Sequence, residues 1–287
     1  MKNLILNLHL QLLIFVSLLT VFASSPVQSQ EMSMKASSMQ GGAAPKDARD
    51  PNEYSGGYEY RHMAGWEETD EIALVKIMVD QFEYRDNESK NKNTLRWDMQ
   101  GWYGRDYNKF WFKFEGEDEV SSDNGNLELQ TLYSRAVTAF WDFQVGARYD
   151  RQYGGGANSN DNFFAVVGVQ GLAPYWFEME PALFIRDDGD VSARLVSTYD
   201  MRFTQRLILQ PRLEVNASAS EDRNLGIGKG LNDIQLGTRL RYEIKREFAP
   251  YIGLEWKKQF GDTADFSRAE GNDIDNTALV TGIRFWF

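Results

Sequence analysis

From Glu71 onward apolar and polar residues alternate with a period of two. In Thr94–Tyr103, Leu95, Trp97, Met99, Gly101 and Tyr103 share one face, and Arg96, Asp98 and Gln100 take the other. Phe140–Asp150 sets Trp141, Phe143, Val145, Ala147 and Tyr149 against Asp142, Gln144 and Arg148. Arg206–Ser218 opposes Leu207, Leu209, Pro211, Leu213 and Val215 to Gln210, Arg212, Glu214 and Asn216. Ile234–Ile244 opposes Ile234, Leu236, Leu240 and Tyr242 to Gln235, Arg239, Arg241 and Glu243. Such strict alternation marks a strand with one apolar face. Weaker versions predict strands near 71–85, 109–117, 127–137, 163–172, 175–186, 191–202, 250–259 and 276–287, twelve in all.

The connections alternate as well. Long, acidic or Gly-rich stretches follow the odd-numbered strands: Asp86–Asn93, Glu117–Asn126, Asp150–Asn162, Ser220–Asn232 and Gly261–Asp275, with Asp187–Asp190 the one short member. Tight turns follow the even-numbered strands, around Arg105–Asn108, Thr138–Ala139, Ala173-Pro174, Phe203-Thr204 and Arg246–Phe248. An even strand number with one rim of long loops and one of short turns is how outer-membrane barrels are built, the short turns facing the periplasm. Aromatics, 14% of the chain, crowd the predicted short-turn rim: Tyr103, Tyr107, Phe110, Trp111, Trp141, Tyr175, Trp176, Phe203, Tyr251, Phe285 and Trp286. Tyr and Trp favour the membrane–water interface because their rings are amphipathic.

A soluble β-sandwich or lipocalin-like barrel is the competing fold. It would bury one face of each strand, and the polar face here carries Arg, Glu, Asp or Gln on almost every strand. A core cannot be built from unpaired charges. Turning the apolar face outward to lipid removes the conflict. The fold class predicted is all-β, a transmembrane antiparallel up-and-down β-barrel of about twelve strands over residues 71–287. The closing strand ends Ile283-Arg284-Phe285-Trp286-Phe287, with the terminal aromatic in phase with its apolar partners. That resembles the signal read by the outer-membrane assembly machinery.

The N-terminal quarter differs. Residues 1–23 read as a cleaved export signal: Lys2, an apolar run Leu4–Phe22, then Val21-Phe22-Ala23 as the cleavage site, with Val27-Gln28-Ser29 a second choice. The alternative, a retained anchor, is weakened by His9 and Gln11 within the run. Residues 24–70 are rich in Ser, Gly, Ala, Pro and charge, show neither period, and are predicted to be a disordered periplasmic linker.

Composition narrows the function classes. A net charge of -11 argues against a nucleic-acid partner. Cysteine is absent, which removes disulfides and thiolate metal sites. The mean hydropathy of -0.50 rules out a helical membrane bundle and suits a barrel, whose faces average out. Outer-membrane hydrolases and acyltransferases generally rely on a His base. The mature chain has only His62, outside the predicted barrel, so an enzyme is not expected.

Several blocks resemble the copper resistance protein B family of outer-membrane proteins. They are Arg49-Asp50-Pro51 with Tyr54-Ser55-Gly56-Gly57, then Gln100–Glu117, Leu132–Asp150, Val169–Glu180, Thr204–Asn216, Gly226–Trp256 and Phe260–Glu270, in order and covering most of 49–287. The resemblance implies a barrel in outer-membrane lipid that serves copper tolerance, sequestering copper or helping it leave the periplasm. It also implies a periplasmic copper-binding protein or multicopper oxidase as partner. Members often carry a Met- and His-rich N-terminal segment. Here that segment has three Met, and no His precedes His62 in it.

Thioether sulfur suits Cu(I), and imidazole suits Cu(I) or Cu(II). Met32, Met34 and Met39 could wrap one Cu(I), and His62 with Met63 could form a mixed site; chance scatter of Met in a linker is the competing reading. Met78 shares a face with Lys76 and Asp80 and is expected to point inward as a further soft ligand. Met99, Met179 and Met201 fall on the apolar face as expected lipid contacts. The lumen is expected to hold Arg96, Arg148, Arg194, Arg212, Arg239, Arg241 and Arg284 among Asp98, Asp142, Glu178, Glu180, Glu214, Glu243 and Glu255. These read as an ion-pair network filling a narrow bore or as a polar ion path. A small diffusion porin with no metal role is the alternative function.

Overall fold

The computed structural model describes residues 73–88, 92–154, 160–223 and 225–287. The predicted boundaries at 23 and 70, and the linker itself, lie outside those residues. Thirteen strand segments form one sheet: β1 Leu74–Asn87, β2 Thr94–Gly104, β3 Asn108–Glu119, β4 Gly125–Ala136, β5 Trp141–Tyr153, β6 Asn160–Ala173, β7 Phe177–Arg186, β8 Val191–Thr198, β9 Met201–Arg202, β10 Leu207–Ser218, β11 Gly230–Tyr242, β12 Phe248–Gln259 and β13 Asp275–Trp286. β8 and β9 both pair with β10 and make one wall strand interrupted at Tyr199 and Asp200, so the wall has twelve strands as the alternation predicts. Each strand pairs antiparallel with its sequence neighbour, and β13 pairs with β1. The sheet is therefore a closed barrel. At the seam Ile77 N donates to Phe287 O at 2.9 Å and Phe287 N to Ile77 O at 3.0 Å.

Burial is inverted relative to a soluble barrel. Glu83, Arg239 and Glu214 are 0%, 2% and 4% exposed, whereas Phe163 and Leu254 are each 58% exposed. The outward face is an apolar band, and the charges are inside, which is the only arrangement lipid permits. Among the described residues no helix is long and apolar enough to cross a membrane; the strands do the crossing.

β1 contains a bulge. Its register against both β2 and β13 shifts around Asp80, so Lys76, Met78 and Asp80 face inward before it and Gln81, Glu83 and Arg85 after it. One extra residue re-aims the side chains of the whole second half. The outer face packs closely on β2 and β3. A Cβ at Gly116 would strike the Trp97 ring, and one at Gly101 the Phe112 ring. Met99 is outward in register, as predicted, yet buried between its cross-strand neighbours Val79 and Phe114, so it is not the open lipid contact expected. Met179 is half-buried and Met201 exposed on the same face.

The short-turn rim carries exposed Tyr107, Phe140, Tyr175, Trp176 and Phe203. Tyr175 and Trp176 sit at φ 67° and 68°, a left-handed backbone that costs non-glycine residues about 1–2 kcal/mol each. Both rings project from that turn, 83% and 70% exposed. Three aromatics predicted for this rim instead face the lumen: Trp111, Tyr251 and Trp286. Register explains it, since they lie opposite the inward residues Trp102, Arg241 and Met78. The predicted loop Gly261–Asp275 also differs, because Gly261–Ala269 forms a helix, α1. Its Thr263 Oγ1 accepts from Gly228 N at 2.8 Å and Asn232 Nδ2 at 3.0 Å, tying α1 to the β10–β11 loop.

Candidate functional site

The lumen is crossed by charge pairs between strands that are not neighbours. Arg239 on β11 grips Glu83 on β1 with Nε and Nη2 at 2.9 and 2.8 Å. Arg85 Nε and the Tyr251 hydroxyl also donate to Glu83, each at 2.9 Å. Glu255 completes the cluster, accepting from Arg85 and Arg239 at 2.9 Å each. On the opposite side Arg194 of β8 forks onto Glu128 of β4 at 3.0 and 2.8 Å, and Arg148 of β5 adds a contact at 2.8 Å. Lys113 of β3 reaches Glu180 of β7 at 2.5 Å, and Arg96 of β2 approaches Glu214 of β10 at 3.6 Å. Forked guanidinium–carboxylate pairs are among the strongest polar contacts available. Arg239–Glu83, Arg194–Glu128, Lys113–Glu180 and Arg96–Glu214 link strands three to five places apart around the wall and cross the bore.

Beside them lies an apolar cluster that polarity patterning did not anticipate: buried Trp111, Leu132, Val166 and Phe184, with Trp102, Phe164 and Ala182 against them. Arg148 and Arg194 lie over the Phe184 ring at 4.3 and 5.5 Å, joining the apolar and ionic halves of the filling. The lumenal set named from sequence faces inward in register. It omitted Glu83, Arg85, Lys113 and Glu128, which anchor the network. Glu83 and Arg85 were hidden by the bulge. Glu128 stands between Leu127 and Leu129, so the same alternation could have found it.

Among the described residues, cavities open toward both rims. Toward the long-loop rim a space of about 210 Å³ is bordered by Glu128, Arg148, Asp150, Arg186, Asp190 and Asp222, with both signs of charge interleaved. Arg186 ties the rim together there by pairing with Asp188, Asp190 and Asp222, and this guanidinium holds the Asp188 carboxyl below its usual range. At the short-turn rim a vestibule of about 450 Å³ is lined by Lys76, Met78, Asp200, Arg202, Thr204, Gln205, Arg241, Glu243, Arg246, Arg284 and Trp286.

Met78 therefore faces inward as its phase predicts. It stands opposite Trp286 at the vestibule wall. Met32, Met34, Met39, His62 and Met63 lie outside the described residues. Met78 is the one methionine of the described residues in the lumenal register, because Met99, Met179 and Met201 face outward. Among the described residues no group of three His, Cys, Asp or Glu is arranged to hold a metal ion. Met78 brings a single thioether to a vestibule with five cationic side chains.

The barrel is similar in structure to the KdgM porin, with 12% identity, a TM-score of 0.45, and coverage of 74% of this chain and 99% of that one. It is also similar to the NanC porin, with 10% identity, a TM-score of 0.47 and the same coverage, 74% and 99%. In sequence the chain is 40% identical over 211 residues to copper resistance protein B of Escherichia coli, covering 74% of this chain and 69% of that one. It is 36% identical over 228 residues to a copper resistance protein B homolog of Pseudomonas syringae pv. tomato, covering 79% and 75%. The family model described as copper resistance protein B precursor (CopB) matches residues 73–287, the whole barrel, and the chain belongs to that family.

Proposed function

We propose that this outer-membrane copper-resistance protein binds copper on its N-terminal segment and holds it at the periplasmic face, the barrel serving as anchor rather than conduit. The observation that carries the reading is the ion-pair network across the bore, in which Arg239–Glu83, Arg194–Glu128 and Lys113–Glu180 link strands three or four places apart around the wall. An ion passing through would have to break these pairs. Short turns mark the periplasmic side in this class of barrel. β1 begins at that rim, so the chain before it would enter the periplasm. Met32, Met34 and Met39 supply thioethers within eight residues, and His62 with Met63 stands just ahead of the barrel. Thioether ligands prefer Cu(I) to Zn(II). Copper would reach them from a periplasmic copper-binding protein or multicopper oxidase.

The test is Cu(I) stoichiometry on the purified mature protein with and without residues 24–69, paired with planar-bilayer conductance. The reading expects bound copper to fall with the deletion and conductance to be low in both forms. Unchanged copper binding after the deletion would move the metal to the barrel, starting at Met78. Large, unselective conductance with no copper binding would instead make the protein a small diffusion porin.

A further inference from the structure

The vestibule at the short-turn rim has the wrong charge for a copper cation. Five of its lining side chains are cationic, Lys76, Arg202, Arg241, Arg246 and Arg284, against the carboxylates Asp200 and Glu243. Asp80, just behind, is taken by Arg284 at 3.0 Å. Asp200 is taken by Arg241 Nη2 at 2.7 Å. Arg202 and Arg246 make no ion pair among the described residues, and Lys76 lies over the Trp286 ring at 5.5 Å. The balance inside this cavity is positive although the whole chain is acidic, with a net charge of -11.

A second observation is independent of that count. Arg241 is 3% exposed, and its Nε and Nη1 are buried with no hydrogen-bond acceptor. Those two nitrogens carry three N–H bonds. Buried polar groups in folded proteins are almost always paired, so unsatisfied donors on a side chain that lines this cavity leave capacity for an incoming acceptor. A guanidinium has no acceptor capacity of its own and matches carboxylate or phosphate oxygens.

We propose that this vestibule is an oxyanion site, taking a small multivalent carboxylate or phosphate solute from the periplasm onto Arg241, with Arg202 and Arg246 as further partners. The solute is free rather than a lipid headgroup, because the cavity lies inside the barrel wall. The assignment does not depend on where copper binds. It adds a ligand of opposite charge, and free copper should not compete for it.

The experiment is calorimetric titration of the folded full-length protein with citrate and, in a separate arm, with inorganic phosphate, at constant ionic strength set by sodium chloride. Saturable binding of one anion per barrel is expected in at least one arm, and the arm that responds assigns carboxylate or phosphate. Arg241→Gln should weaken it tenfold or more. Because Arg241 also pairs with Asp200 and its loss can disturb assembly, the double variant R202Q/R246Q provides the same test without touching an ion pair. Arg223→Gln, on a long-loop residue far along the chain from the vestibule lining, should change nothing. Absence of saturable binding in both arms, or equal affinity in parent and R202Q/R246Q, would overturn the proposal.

Discussion

Glu83 sits at the centre of a four-charge cluster that continues through Arg85 to Glu117 at 3.7 Å, and its removal tests whether the lumenal pairs hold the barrel together. Glu83 and Glu255 balance Arg85 and Arg239, and all four are at most 6% exposed at their side chains. Glu83→Ala leaves Arg239 and Arg85 sharing Glu255, with Glu117, 3.7 Å from Arg85, as the one other carboxylate in reach among the described residues. It deletes four accepted bonds, two from Arg239, one from Arg85 and one from Tyr251. Charge-assisted bonds contribute about 1.5–3 kcal/mol each, but simple addition overstates the loss because both arginines can turn further onto Glu255. Breaking a buried ion pair from one side typically costs about 3–5 kcal/mol. That range is adopted here, equivalent to roughly two to four decades in the folding equilibrium. The assay is urea unfolding in detergent micelles, followed by tryptophan emission and by the heat-modifiable gel shift. Asp275→Asn is the internal control. It breaks the Lys258 pair at 3.2 Å, whose partners are 38% and 48% exposed, and should cost under about 1 kcal/mol. If Glu83→Ala unfolds within about 0.5 kcal/mol of the parent, the cluster is ornamental, and the argument that ion pairs seal the bore fails with it.

Three further outcomes are expected. Removing Phe287 deletes the reciprocal bonds with Ile77 at the seam, so folded barrel should fall and periplasmic precursor accumulate, read by surface protease protection. A tag at Asp222, in the long β10–β11 connection, should label on intact cells, while one at Pro174 in the short β6–β7 turn should label only after the membrane is permeabilised; the reverse pattern would invert the orientation. Gly116→Val places a side chain in the space held by the Trp97 ring and should destabilise by about 1–3 kcal/mol with a shifted tryptophan emission maximum, whereas an unchanged spectrum and midpoint would mean the ring is not packed there.

The wall of this barrel was readable in the sequence because lipid imposes a rule that every strand obeys separately. Thr94–Tyr103 and Ile234–Ile244 each reveal their outward face from ten or so residues of alternation, and no long-range information is needed. The filling was less legible. The Asp80 bulge shifts phase inside a run that stays amphipathic on either side of it, so Glu83 and Arg85 appear on the wrong face. Trp111 looks like an interface aromatic until the register pairs it with inward Trp102. α1 begins at a glycine and is short and polar, so it carries no apolar stripe to mark it. Partner choice in the lumen could not be read at all. Arg239 and Glu83 are 156 positions apart, and only barrel closure decides which charges meet. The vestibule escaped for the same reason, since Lys76, Arg202, Arg241, Arg246 and Arg284 come from separate stretches of chain.

The charge layout bears on the proposal that the barrel is an anchor and not a copper conduit. A cation approaching the short-turn rim meets Arg202 and Arg246, which make no ion pair among the described residues, and Lys76, Arg241 and Arg284, against only Asp200 and Glu243 in the same cavity. Within a narrow protein-lined mouth these charges are screened less than at an open surface, where the Debye length is already about 8 Å at physiological salt. Among the described residues the single inward thioether, Met78, lies within that cationic vestibule opposite Trp286, with no second soft donor to close a coordination shell. Electrostatics and ligand count therefore point the same way. Both disfavour the lumen as a copper path, and both leave the acidic, Met-containing segment ahead of β1 as the part of the chain whose chemistry suits the metal.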